Sequence, residues 1–121
     1  MNFVISIIIG IIASANLVQA GPSPTPNPFV DGPTIYAEKC MACHGDQGQG
    51  TAGVPILSGN GAVTAANPDN VIAIVKHGRR AMPGFENQLT EAEIAGVVTY
   101  IRTAWGNEGT SVAPYQVEAV H

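Results

Sequence analysis

Positive charge is scarce in this sequence. Five Lys and Arg stand against nine Asp and Glu in 121 residues, giving a formal net charge of −4. A nucleic-acid-binding chain of this size would carry a basic face, so that class of partner is excluded. Aromatic residues are equally thin, at three Phe, three Tyr and one Trp. The length supports one small domain whose core is marginal without help, and a flat apolar cofactor would supply the missing bulk. No stretch alternates apolar and polar residues as a half-buried strand does, and no repeat is present, which leaves a small all-α domain. Cysteine occurs only twice, as Cys40 and Cys43, and histidine three times, as His44, His77 and His121.

The first twenty residues, MNFVISIIIGIIASANLVQA, read as an export segment. An apolar run from Phe3 to Ile12 gives way to small and polar residues, with Val18 and Ala20 at the −3 and −1 positions of a cleavage site before Gly21. No Lys or Arg precedes the run, which departs from the usual signal. The run is also short of the ~20 residues that span a bilayer. Residues 1–20 are therefore expected to be a cleaved signal peptide, with a retained membrane anchor as the alternative. Export favours an oxidising compartment, where a free dithiol reductant is less natural and a disulfide is permitted.

Residues 21–31 form a Pro-rich linker, extended and polyproline-like through GPSPTPNPF. A first helix is expected from Asp31 as N-cap, with Pro33 in its first turn, running into Cys40. Residues 45–67 are rich in Gly, Ser, Thr and Asn and read as a long loop that wraps something. A second helix is signalled by Asn67 as N-cap, Pro68 in the first turn, Val71, Ile72 and Val75 on one face and Gly78 as stop. GRRAMPGF reads again as loop. The third helix is the best marked. Thr90 and Glu93 make a capping box, Ile94, Val97, Val98, Ile101 and Trp105 recur at helical spacing, and Gly106 ends it. A short terminal helix is expected over residues 114–120, within a tail of residues 107–121.

The stretch CMACH, Cys40 to His44, has three competing uses. A structural zinc site needs four ligands, usually as two pairs at matched spacing, and His77 and His121 are too scattered to complete one. A redox dithiol belongs beside a βαβ unit, which this chain lacks, and a simple disulfide explains neither His44 nor the long loop. A covalent haem anchor explains all three residues together. Two thiols three apart can each add to a vinyl group on one porphyrin edge, and the next His becomes the proximal iron ligand.

A sixth ligand is then the question. Met1 is removed or at the membrane, and Met41 lies inside the anchoring motif. Met82, in loop and followed by Pro83, is far enough along the chain to come round the porphyrin. Thioether ligation opposite His is an established haem arrangement. Lys76 and His77 are rival ligands, expected to be solvated on the second helix.

The strings CMACHGDQGQG, GVPILSG, VIAIVKHGRRAMPGF and LTEAEIAGVVTYIRTAWGN together resemble a small class I c-type cytochrome of bacteria, in motif order and spacing over about residues 31–106. The tail WGNEGTSVAPYQVEAV is similar to cytochrome subunits and domains that accept electrons from periplasmic alcohol and sugar dehydrogenases. The resemblance implies a cytochrome c domain over residues 32–106, three to four helices wrapped around one covalent haem c. It implies that Pro55 offers its carbonyl to Nδ1–H of His44 and that Leu57 packs on the haem face. It also implies that Gly32 and Tyr36 cross the later helix near Gly96 and Tyr100.

His44 and Met82 as axial ligands would saturate the iron, leaving one-electron exchange through the porphyrin edge and no room for substrate. The expected role is thus an electron carrier rather than an enzyme, in the periplasm and either soluble or tethered to the inner membrane. Its donor would be a dehydrogenase or quinol-oxidising complex and its acceptor an oxidase or reductase. A haem enzyme or gas sensor with an open sixth position is the alternative, and a fixed dehydrogenase subunit a third reading. Lys76, Arg79 and Arg80 are three of the five cations and precede Met82, whereas Glu86, Glu91, Glu93, Glu108 and Glu118 lie later. The three cations suggest a patch that steers an acidic partner or pairs with haem propionates. The competing reading is a solvated helix end.

Overall fold

The computed structural model describes residues 31–121, so the export segment and residues 21–30 of the linker lie outside the described residues. Five helices follow in order: α1 (Gly32–Lys39), α2 (Met41–His44), α3 (Asp69–His77), α4 (Glu91–Thr103) and α5 (Pro114–Glu118). Between α3 and α4 a two-stranded antiparallel ribbon, β1 (Gly78–Arg79) with β2 (Met82–Pro83), pairs Gly78 with Pro83 and Arg79 with Met82. The ribbon lies where the sequence reads as plain loop. Strands of two residues are too short to show alternation, which is why periodicity cannot reveal them.

Helix starts follow their capping chemistry. The Asp31 side chain bonds Thr34 through both backbone and hydroxyl. At α4, Thr90 Oγ1 accepts from Glu93 N and Glu93 Oε1 accepts from Thr90 N, each at 3.1 Å. The start of α3 differs by one residue from expectation. Asn67 Oδ1 reaches forward to Asp69 N at 2.9 Å, so Pro68 holds the cap position and the helix begins at Asp69. The end of α4 also differs. The helix stops at Thr103, Ala104 is extended, and Trp105 adopts φ +55°. The indole is thereby turned onto Tyr36 and Tyr100, with ring centroids 5.0 and 5.5 Å away.

The frame is the crossing of α1 and α4. A Cβ at Gly32 would overlap the Gly96 carbonyl and lie 3.0 Å from Tyr100 Cβ, so the two backbones touch at a pair of glycines. Tyr36 and Tyr100 pack beside this contact with tilted rings, centroids 5.3 Å apart. Ile94, Ala95, Val97, Val98 and Ile101 of α4 are buried, and α3 contributes Val71, Ile72 and Val75 to the same core.

Residues 45–67 run without helix, and side chains from α4 and its following turn hold them. Arg102 is fully buried. Its guanidinium donates to the carbonyls of Val63 at 2.7 Å, Ala65 at 2.9 Å and Thr110 at 2.9 Å, and to the Thr110 hydroxyl at 3.1 Å. Burial pushes its pKa below the ordinary arginine value, and it meets carbonyls and a hydroxyl rather than a carboxylate. Asn107 acts similarly, donating to Leu57 O and Ile101 O and accepting from Gly59 N.

Two outcomes are expected. Gly32→Ala should cost about 1–3 kcal/mol by overpacking the crossing, read as a drop in the midpoint of chemical denaturation. Arg102→Met should cost about 2–4 kcal/mol, because three carbonyls lose their donor inside the protein; the same titration reads it.

Candidate functional site

A cavity of about 630 Å³ opens between α1–α2, the loop, α3, the ribbon and α4, within the ~300–1,000 Å³ expected of a cofactor site. Cys40, Cys43 and His44 line it, and so do Pro55 and Leu57 from the loop. Arg79, Arg80 and Met82 line it from the ribbon. Apolar side chains of α3 and α4, among them Val71, Val75, Val97 and Ile101, form much of the remaining wall.

Local folding brings the CMACH residues to this wall. α1 ends at Cys40, whose N–H bonds Tyr36 O at 2.9 Å, and α2 adds a single turn in which His44 N bonds Cys40 O at 2.9 Å. Cys40 and His44 therefore lie one turn apart on one face. Cys43 is exposed and Cys40 half-buried. Burial, with a smaller contribution from Cys43, pushes the Cys40 thiol up to about 11. A redox-active dithiol needs the opposite, a thiol lowered towards neutral pH.

His44 is 8% exposed, and its Nδ1 lies 3.1 Å from the Pro55 carbonyl. A carbonyl can only accept, so Nδ1 carries the proton and Nε2 keeps its lone pair for a metal. The loop carbonyl is itself held in place. Gly50 N bonds His44 O at 2.7 Å, Leu57 N bonds Gly48 O at 2.8 Å, and Thr51 Oγ1 bonds Cys43 O at 3.1 Å. Behind α2, Tyr36 Oη donates to Gly45 O at 2.6 Å. Burial, then the neighbouring Cys40, Tyr100 and Asp46, pushes the Tyr36 phenol up to about 12, so it remains a donor at neutral pH.

The cationic patch is smaller than the sequence suggests. Arg79 and Arg80 are exposed beside the cavity, whereas Lys76 is half-buried and bound to the protein. Its Nζ turns to the end of α5 and donates to Val117 O at 2.9 Å and Val120 O at 2.6 Å. His77 is exposed and pairs with Glu86, Nδ1 to Oε2 at 3.4 Å. Arg80 sits at the tip of the ribbon with φ +54°.

Sequence reasoning passed over Arg102, Asn107 and the role of Lys76. The signal for Arg102 was present: it follows Ile101 and falls beside the apolar stripe of α4, where a solvated Arg is out of place. Nothing in the sequence marks Asn107 or Lys76, because their partners include backbone carbonyls 50 and 41 residues away.

A family model described as "Cytochrome C oxidase, cbb3-type, subunit III" matches residues 27–101. The cytochrome c subunit of the quinone alcohol dehydrogenase of Gluconacetobacter polyoxogenes is 33% identical over 108 residues, covering 79% of this chain and 22% of that protein. The cbb3-type cytochrome c oxidase subunit CcoP of Cereibacter sphaeroides is 35% identical over 81 residues, covering 64% and 28%. Cytochrome cL of Methylophaga aminisulfidivorans MPT superposes with a TM-score of 0.51 at 25% identity, over 60% of this chain and 49% of that one. The chain thus spans less than a third of either curated relative. The cavity suits the cofactor these matches imply, with two thiols at its edge, an imidazole with a free Nε2 and largely apolar walls. The cofactor is one haem c, bound covalently through Cys40 and Cys43, and the chain belongs to the cbb3-type cytochrome c family.

Proposed function

We propose that this chain is a one-electron carrier whose haem iron is held by His44 Nε2 and Met82 Sδ. The observation that carries the reading is that Cys40, Cys43, His44 and Met82 line one cavity, with His44 Nδ1 occupied by the Pro55 carbonyl. Haem c bound there supplies a reversible Fe(III)/Fe(II) couple. The protein's own groups do the rest. Pro55 O fixes the imidazole tautomer and keeps its ring from turning. Leu57, Val71, Val75 and Ile101 exclude water from the cavity wall, and a dry wall disfavours the more highly charged oxidised iron. The thioether of Met82 is a soft, weak donor that favours the reduced state. Exposed Cys43, Arg79 and Arg80 leave the porphyrin edge open to a redox partner, and the two guanidinium groups suit haem propionates or an acidic docking face.

The relatives named above are subunits of a dehydrogenase and an oxidase, which supports redox-protein partners: a dehydrogenase or quinol-oxidising complex as donor, an oxidase or reductase as acceptor. Residues 32–106 then form the haem domain, residues 107–121 its packed tail, and residues 1–20 the segment that exports or tethers it to the periplasmic side of the inner membrane. No helix among the described residues is long and apolar enough to cross a membrane.

The test is spectroscopic. The matured ferric protein should show the far-red charge-transfer band of Met-ligated haem, and the reduced protein should not bind carbon monoxide. Met82→Ala should keep its covalent haem, lose the band, bind carbon monoxide when reduced and show a lower potential. A variant with unchanged spectrum and potential would remove Met82 from the iron and favour an enzyme or sensor with another ligand arrangement.

A further inference from the structure

We infer that the C-terminal helix α5, through Lys76, is a brace that holds the Met82 ribbon in place, so that Lys76 is a positioning residue for the iron ligand. The inference rests on the proposed ligation by Met82.

The ribbon has little structure of its own. Two residue pairs join its strands, and its turn residue Arg80 takes an unfavourable positive φ. Its position is borrowed from the last turn of α3. Gly78 N bonds Ile74 O, Phe85 N bonds Val75 O at 3.0 Å, and Glu86 N bonds Lys76 O at 3.1 Å. The return segment is pressed against the same turn. A Cβ at Gly84 would stand 2.5 Å from the His77 carbonyl carbon and 2.7 Å from Lys76 O. Met82 thus moves with the end of α3.

Helix ends fray, and α3 has only nine residues. Lys76 is the penultimate residue, and its ammonium is carried across to α5, where it bonds Val117 O and Val120 O. Val117 lies in the last turn of α5 and Val120 just beyond it, where a helix C-terminus is short of backbone donors and favours a cation; Val117 O also accepts from Val120 N at 3.2 Å. α5 is seated in turn. Val117 is fully buried, and the segment before it is tied to α4 by Val112 N to Thr99 Oγ1 at 2.9 Å and Thr99 Oγ1 to Val112 O at 3.3 Å. The path therefore runs from α4 through α5 to Lys76, and from the end of α3 into the ribbon. The same contacts keep the Lys76 amine engaged and away from the iron.

The experiment compares full-length haem-loaded wild type, Lys76→Met, Lys76→Arg and the core control Ile94→Val. It reads the far-red band of the oxidised form, carbon monoxide binding by the reduced form, and Tm. Lys76→Met should lose a large part of the band and take up carbon monoxide roughly tenfold more readily than wild type. Lys76→Arg, which can donate to the same carbonyls, should restore the wild-type behaviour in large part. Ile94→Val should lower Tm without opening the iron. If Lys76→Met does not retain haem, Val117→Ala loosens the seat of α5 and should give the same opening. A Lys76→Met protein with lowered Tm but a full band and no carbon monoxide binding would overturn the inference, as would equal opening in Ile94→Val. Carbon monoxide binding by the wild type itself would instead overturn the Met82 ligation, and this inference with it.

Discussion

Gly32 and Gly96 set the distance between the two helices that frame the site. Because Gly32 carries no Cβ, α1 lies directly on the α4 backbone at the Gly96 carbonyl. That contact seats the N-terminal end of α1 on α4, and the helix then carries Cys40, where the CMACH turn begins, to the cavity that Val97 and Ile101 of α4 also line. The aromatic triangle of Tyr36, Tyr100 and Trp105 then fills the space beside the crossing, and Tyr36 reaches past it to bond the carbonyl that follows His44. The haem-attachment turn is thus positioned from both sides: by helix packing below and by a phenol hydrogen bond behind. A change in helix separation would move Cys40 and His44 together relative to the cavity wall.

The second consequence is electrostatic. His44 meets a carbonyl rather than a carboxylate, so its imidazole is oriented without gaining an anionic partner. Buried Arg102 likewise meets carbonyls and a hydroxyl, so among the described residues its positive charge is bonded by dipoles rather than by a carboxylate. It bonds the carbonyl of Val63, a residue of the cavity wall. Positive charge in a low-dielectric interior disfavours the oxidised iron, the direction in which the proposed Met82 ligation and the apolar wall also act. Three features of different origin thus push the couple of the proposed carrier upward.

What could be read from the sequence divides along a physical line. Local chemistry was legible: the caps at Asp31 and Thr90, the stop at Gly78 and the CMACH motif depend on neighbours within a few residues. So did the apolar stripes of α3 and α4, whose buried faces follow the helical period. Illegible were features fixed by tertiary contact. Trp105 fits the spacing of α4, yet the helix stops two residues earlier at Thr103 and the indole is turned onto Tyr36 and Tyr100. Lys76 looks like a solvated helix end, and only the fold brings the carbonyls of Val117 and Val120 within its reach. Family resemblance supplied the expectation for Pro55 that spacing could not, since His44 and Pro55 are eleven residues apart across an irregular loop.

The loop is also where a small carrier faces its sharpest constraint. Residues 45–67 cover one side of the cavity without helix, so their backbone groups cannot all be satisfied locally. The chain solves this with long polar side chains from one region: Arg102 and Asn107 between them bond carbonyls at Leu57, Val63 and Ala65 and the amide of Gly59. Lys76 repeats the device at the C-terminal end of α5, with the carbonyls of Val117 and Val120 as acceptors. Side chains of this kind give up considerable conformational freedom when ordered, but each ties down two or more backbone groups at once. The result is an irregular shell whose backbone is tied to the core by side chains. An electron carrier gains from such a shell, because ligands and wall that stay put on oxidation leave little to rearrange when the electron moves.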